Sequence, residues 1–307
     1  MNNNKTLILI AGPTAVGKTA VAIKVAQHYK TVVVSADSRQ FFQEMSIGTA
    51  KPDAEELAAV KHYFINSHSI QQSFSVGDYE KQALALLDEL FKEYDVVVLA
   101  GGSGLYVKAV CEGFDDLPVA ESGTRHRLNQ DFTEQGIMHL QERVKEIDPE
   151  YYAQVDIHNP QRLIRALEVF ETTGKPISHY RKATINKRPF RIVKIGLTLP
   201  RDILYQQINH RVDRMVQLGL IDEVRSLIPN RHLNALSTVG YSELFDYFDG
   251  NTDLESALDL IKQNTRHFAK RQLTWFRKDK DMHWFEADDE DVVNNIVQQI
   301  QNPVLTP

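Results

Sequence analysis

Gly12-Pro13-Thr14-Ala15-Val16-Gly17-Lys18-Thr19 has the spacing G-x-x-x-x-G-K-[ST]. Between a strand and a helix, such a loop aims backbone N–H groups and a helix N-terminus at a phosphate. Lys18 adds a mobile positive charge, and the Thr19 hydroxyl is placed to ligate Mg²⁺. The plain alternative is a Gly-Pro turn with a second glycine near a helix start. An apolar run before the loop, the spacing, the Lys and the Thr together outweigh it. All eight residues are therefore expected to hold a phosphate or diphosphate, with Mg²⁺ as cofactor.

What happens to the phosphate is a separate question. A nucleotide hydrolase or kinase with this loop usually holds Mg²⁺ with an Asp at the end of a second apolar strand. Here the run 96–99 leads into Ala100-Gly101-Gly102-Ser103, and the nearest acid, Asp95, stands at its beginning. In a parallel sheet that is the edge away from the site. Asp37, just after the apolar run 31–35, is the nearby acid at a strand's C-terminal end. It could assist the metal, as in a kinase, or serve as base for an acceptor while diphosphate leaves. A helix cap is its bland alternative.

The elements that must position these groups follow from hydrophobic periodicity. Residues 5–11, 31–35 and 95–100 are short β-branched or apolar runs, and 18–28 and 79–93 show helical spacing. Alternation of this kind predicts an α/β fold, a phosphate-loop parallel sheet flanked by helices. Residues 125–135, 140–145 and 162–172 read as helices, the last stopped by Gly174 and Pro176. A strand pattern returns at 190–199, followed by helices over 203–218, 221–227 and 254–276. The expected organisation is a core of 1–117 and 191–307 interrupted by a helical insertion, 118–190.

Composition excludes several classes. The 307 residues are 42% hydrophobic and 25% charged, ordinary globular usage. No apolar run reaches the roughly 18 residues of a membrane helix. Before Gly12 there are too few apolar residues for a secretory signal, and the single Cys111 excludes a disulfide framework or multi-cysteine zinc site. A cytoplasmic location is expected. The histidines show no ligand spacing. Net charge is −6, which by itself argues against a nucleic-acid partner. Yet residues 161–194 hold nine Lys/Arg against Glu168 and Glu171, and 262–280 hold seven against Asp279. Two basic segments are thus hidden in an acidic chain.

Several segments together resemble one family, the tRNA dimethylallyltransferases. They are Asp37-Ser38-Arg39-Gln40, Ile47-Gly48-Thr49-Ala50-Lys51-Pro52, Gly101-Gly102-Ser103-Gly104-Leu105-Tyr106, Asn159 through Glu168, Val239-Gly240-Tyr241 and Lys270 through Arg277. The resemblance spans nearly the whole chain. It implies transfer of a dimethylallyl group from dimethylallyl diphosphate to N6 of the adenosine beside the anticodon of a tRNA stem-loop. It also implies Asp37 as general base, Lys18 at the departing diphosphate, and a catalytic Ser103, where the family usually has threonine, hydrogen-bonding near the acceptor amine and the diphosphate. Ser38, Arg39 and Gln40 would face the target base, Gln offering a paired donor and acceptor to an adenine edge.

The resemblance further implies tRNA contact by Arg125, Gln161, Arg162, Leu163, Ile164, Arg165, Gly240 and Tyr241, with Tyr241 stacking on an unpaired base. Thr238 and Ser242 flank that tyrosine where the family often has basic residues. An ion pair with Glu168 is the ordinary alternative for the 162/165 face, as a core position is for Tyr241. A monomer is expected. Prenylation of free adenine nucleotides, a small-molecule kinase and a non-enzymatic RNA-binding module are the competing functions.

Overall fold

β1 (Thr6–Ala11) is buried at all its positions, as the apolar run at the centre of a parallel sheet must be. The computed structural model describes residues 5–115, 117–118, 123–181 and 186–301. Beside β1 lie β2 (Val33–Ser35), β3 (His62–Tyr63), β4 (Val96–Gly101), β5 (Arg191–Thr198) and β6 (Met282–Glu286). They form one sheet in the order β3-β2-β4-β1-β5-β6, and every pairing is parallel. The register sets Ala11 opposite Gly101 and Gly196, and Ser35 opposite Ala100. The carboxyl ends of β1, β2 and β4 therefore come level, where α/β sheets place their ligands.

The helices are α1 (Lys18–His28), α2 (Ala54–Ala59), α3 (Val76–Glu93), α4 (Gly104–Glu112), α5 (Thr124–Ile147), α6 (Pro149–Gln154), α7 (Pro160–Thr173), α8 (Arg201–Gln217), α9 (Leu220–Ser226), α10 (Ser242–Phe248), α11 (Leu254–Phe276) and α12 (Val292–Gln301). Successive strand residues supply opposite faces of the sheet. Ile8, Ile10, Val98 and Ile195 pack with α1, α8 and α12, while Leu7, Leu9, Val97 and Leu99 pack with α3 and α4. The α/β expectation holds. Strands β3 and β6 have no counterpart in the sequence reading. The first is two residues long, and the second is a largely half-exposed edge strand whose Met-His-Trp-Phe-Glu sequence does not alternate.

The chain divides into two compact units, Met1–Cys111 with Arg188–Pro307, and Glu112–Lys187. Part of the expected boundary region, 116, 119–122 and 182–185, lies outside the described residues. The second unit, taken by itself, is built on α5, α6 and α7 around Leu128, Leu140, Val144, Leu163, Ile164 and Leu167. Gly136, at φ +76°, breaks α5. Asn159 caps α7 through the Arg162 amide, Pro160 fits its first turn, and Gly174 ends it at φ +67°. No helix among the described residues is long and apolar enough to cross a membrane.

Close approach of two strand ends explains one glycine. A Cβ on Gly101 would lie 2.2 Å from the Ala36 carbonyl oxygen, in backbone that is itself tied by the Ala36 amide to Ala100 O at 2.8 Å. Gly101→Ala should destabilise the fold by about 1–3 kcal/mol, the usual penalty of overpacking. Urea unfolding measures it, and an unchanged midpoint would contradict this packing.

Candidate active site

The phosphate loop leaves β1 at Gly12, where a Cβ would meet the Leu197 carbonyl oxygen at 2.7 Å. Ala15 and Gly17 then take positive φ, +64° and +98°, before α1 begins at Lys18. Alternation between right- and left-handed backbone curls successive amides into an anion-binding concavity. The curl is braced from α11: Gln272 accepts the Thr14 amide at 2.8 Å and donates to Gly102 O at 2.8 Å. One buried side chain thus couples the loops after β1 and β4.

Thr14, Ala15, Gly17, Lys18 and Thr19 line a cavity of about 620 Å³, within the range of small-ligand sites. Asp37 and Gln40 share its wall with the loop 46–53, with Arg211 and Arg214 of α8, and with Phe268 of α11. Gly12, Pro13 and Val16 belong to the loop without lining the cavity. The Lys18 ammonium donates to Pro13 O at 2.7 Å. Burial, and then the Arg211 guanidinium, lower the Lys18 pKa to about 7, against the pull of Asp37. Arg211 is itself held below its usual value by burial. Two cations crowded into one low-dielectric cavity make a site for an anion.

Inorganic pyrophosphate provides a test with a definite sign. A bound anion favours the ammonium form, so binding draws a proton onto Lys18 wherever it is neutral in the free protein. Affinity should be full below pH 7 and decline as pH rises above it. Lys18→Arg stays charged throughout, so the wild-type to variant affinity ratio should fall between about pH 6 and pH 9. Because the ligand's own titration cancels in that ratio, a flat ratio would contradict the assignment.

Asp37 Oδ1 accepts the Arg39 amide at 2.9 Å and the Gln40 amide at 3.4 Å, an Asx-type turn. No helix follows Asp37 directly, so its carboxylate holds a turn and not a helix cap, and it also lies on the cavity wall. Ser103 is not on the cavity wall. Its Oγ accepts the Ser38 amide at 2.9 Å and donates to Ser38 Oγ at 3.2 Å, joining the loops after β2 and β4. Arg39 is half-buried near Asp37 and Tyr106. Gln40 accepts from Ser35 Oγ and donates to Thr49 O and Ala50 O, so its amide is already engaged within the protein. Asp95 pairs with Lys5 at 2.8 Å, away from the site as expected.

Three expectations are corrected. Tyr241 is fully buried, its ring against Gly48 and its hydroxyl donating to Glu223 Oε1 at 2.7 Å, so it has no face free for a base. Gly240 is buried as well, its amide held by Glu243. Leu163 and Ile164 have no exposed surface and form the core of their own unit, leaving no side chain for RNA.

In that second unit Glu168, only 1% exposed, receives Arg125 at 3.3 Å and Arg165 at 3.4 Å. Arg125 also donates to Gln161 at 2.7 Å, so these residues form one polar cluster, while Arg162 is exposed. The ion-pair alternative for Arg165 is the observed one. Within the basic stretches, Arg188 is taken by Glu80 and Lys194 by Asp279.

Arg211 and Gln272 line the cavity, and sequence reasoning missed both. Arg211 lies on an amphipathic helix with no motif around it. Gln272 alone carried a signal, as a polar residue on the buried face of α11.

Comparison with known proteins gives the family. The family model described as IPP transferase matches residues 40–279. The chain belongs to the IPP transferase family. The tRNA dimethylallyltransferase of Christiangramia forsetii is 53% identical to it over 300 residues, covering 98% of this chain and 99% of that protein. That of Cytophaga hutchinsonii is 48% identical over 295 residues, covering 96% and 97%. Among solved structures, the full-length tRNA isopentenylpyrophosphate transferase of Bacillus halodurans matches with TM-score 0.72 at 39% identity, covering 97% of this chain and 96% of that one.

Proposed function

We propose that the protein transfers the dimethylallyl group of dimethylallyl diphosphate to N6 of the adenosine beside a tRNA anticodon, releasing diphosphate. It acts in this reading as a cytoplasmic monomer. The observation that carries it is the shared cavity: two crowded cations at a phosphate loop, with the Asp37 carboxylate on the same wall. The bond broken is the allylic C–O bond, and negative charge grows on the departing diphosphate. Lys18, Arg211 and the loop amides meet that charge, commonly the largest catalytic effect. The adenine amine is a weak nucleophile, and Asp37 takes its proton as the C–N bond forms. Ile47, Met215, Leu218 and Phe268 give the cavity an apolar lining suited to the hydrocarbon chain. Ser103 acts through Ser38, fixing the turn that carries Asp37.

Mg²⁺ suits these donors. No group of three His, Cys, Asp or Glu is placed to hold a metal among the described residues. Thr19 supplies a loop hydroxyl, and the wall's carboxylates, Asp37, Asp53 and Glu56, are not gathered into a ligand cluster. That sparse set fits a cation that keeps waters and relies on ligand phosphates. When bound, Mg²⁺ would neutralise diphosphate charge beside Thr19.

Arg162 and the exposed Lys270, Arg271, Arg277 and Lys278 supply cations for an RNA backbone. Incubation with labelled dimethylallyl diphosphate and an anticodon stem-loop should put label on RNA. Incubation with ATP should move no phosphate. Phosphoryl transfer without RNA labelling would reject the reading in favour of a kinase.

A further inference from the structure

We propose that Glu223 is a positioning residue for the anion end of the cavity, holding the loop 46–51 that in turn aims Arg211. The inference rests on the diphosphate reading above. Three successive amides, Ser46, Ile47 and Gly48, donate to the Glu223 carboxylate at 3.0, 2.7 and 3.0 Å. The Tyr241 hydroxyl adds a fourth donor at 2.7 Å, so the carboxylate's acceptor sites are all used. Gly48 is required beside that phenol, since a Cβ there would come within 2.5 Å of the Tyr241 ring.

At the loop's other end the Ala50 carbonyl meets cavity residues. Ala50 O accepts from Arg211 Nη2 at 3.4 Å and from Gln40 Nε2 at 3.1 Å. Ala50 sits at φ +47°, a left-handed conformation that a non-glycine residue keeps only when its surroundings impose it. Ser46, Ile47, Thr49, Ala50 and Lys51 line the cavity, whereas Glu223 does not. Its influence therefore runs through the loop. An acidic residue in the first turn of α9 would ordinarily be assigned to the helix dipole. Here its carboxylate is committed to a segment some 175 residues away in sequence.

The test is calorimetric titration of the full-length protein with inorganic pyrophosphate and Mg²⁺, with KM and kcat for the diphosphate substrate. Glu223→Gln loses the charge that three amides share. It should weaken pyrophosphate at least about tenfold, the scale of a charged hydrogen bond, and lower kcat as well as raise KM, because the Arg211 it aims meets charge that grows in the transition state. In an Arg211→Ala background the same change should add under about twofold, because its route passes through Arg211. Asp222→Asn, the same charge loss at an exposed neighbour paired with Arg225, is the control and should bind like wild type.

Equal binding by Glu223→Gln, or full additivity with Arg211→Ala, overturns the proposal. Hydrogen exchange on the wild type needs no variant: protection of the amides 46–51 should rise with pyrophosphate, and no rise overturns the proposal even if Glu223→Gln does not fold. A wild type that binds no pyrophosphate overturns the diphosphate reading and this proposal with it. Binding with no effect of Glu223 overturns this proposal alone.

Discussion

Replacing Asp37 with alanine should slow prenyl transfer to an anticodon stem-loop by about 10²–10⁴-fold, the usual worth of a placed general base. Pyrophosphate affinity should stay close to that of the wild type. Asp37 also holds a turn, because its Oδ1 accepts the amides of Arg39 and Gln40. Alanine removes both. Asparagine separates them: its carbonyl oxygen can keep the turn, and it cannot take a proton. If proton abstraction is the role, Asp37→Asn should be nearly as slow as Asp37→Ala in single-turnover measurements. If the turn alone matters, asparagine should restore most of the rate, and the base assignment fails.

Lys18→Ala should have a comparable effect by a different route. It removes a charge aimed at the leaving diphosphate, and loss of one such preorganised group typically lowers turnover by about 10²–10³-fold. Unlike the Asp37 variants, it should also lose pyrophosphate affinity, as should Arg211→Ala. Its effect on the empty protein has the opposite sign. Burial and the Arg211 charge bring the Lys18 pKa from 10.5 to about 7, so the folded state binds this proton less well than the unfolded one. The destabilisation is largest below pH 7 and vanishes as pH rises toward 10.5. Lys18→Ala should therefore melt higher than wild type at neutral pH, and the gap should close with rising pH. A variant that binds pyrophosphate normally would remove Lys18 from the site.

The legible part of this protein was the part written in contiguous residues. The phosphate loop declares itself because strand, turn and helix start are adjacent in sequence, and Asp37 because it follows an apolar run directly. Helix α11 was legible to its ends because Asp253 caps a long periodic stretch. Arg211 and Glu223 were not legible, since each meets its partner across more than 150 residues and neither helix carries a motif. Tyr241 shows the opposite failure. An aromatic beside a glycine suggests stacking on a base, but only tertiary structure reveals that Gly48 and Glu223 enclose it. Burial, and then the Glu223 carboxylate, push its phenol far above the usual range, as befits a structural hydroxyl. Leu163 and Ile164 fall to the same cause, for the face of α7 that carries them is the core of its unit.

The net charge of −6 that first spoke against RNA is likewise resolved by position. Arg188 and Lys194 are spent on internal carboxylates, while Lys270, Arg271, Arg277 and Lys278 stay exposed on and just beyond α11. Affinity for a stem-loop should therefore fall steeply with salt, as phosphate contacts require.

In the proposed reaction this cavity moves a prenyl group and not a phosphoryl group, and the acceptor is an adenosine in tRNA. Nucleoside analysis of an anticodon stem-loop after single-turnover reaction with labelled dimethylallyl diphosphate tests it most directly. The expected product is N6-dimethylallyladenosine beside the anticodon, with one pyrophosphate released per transfer and no product from free AMP. Labelled AMP with unmodified RNA, or phosphate transfer from ATP, would contradict it.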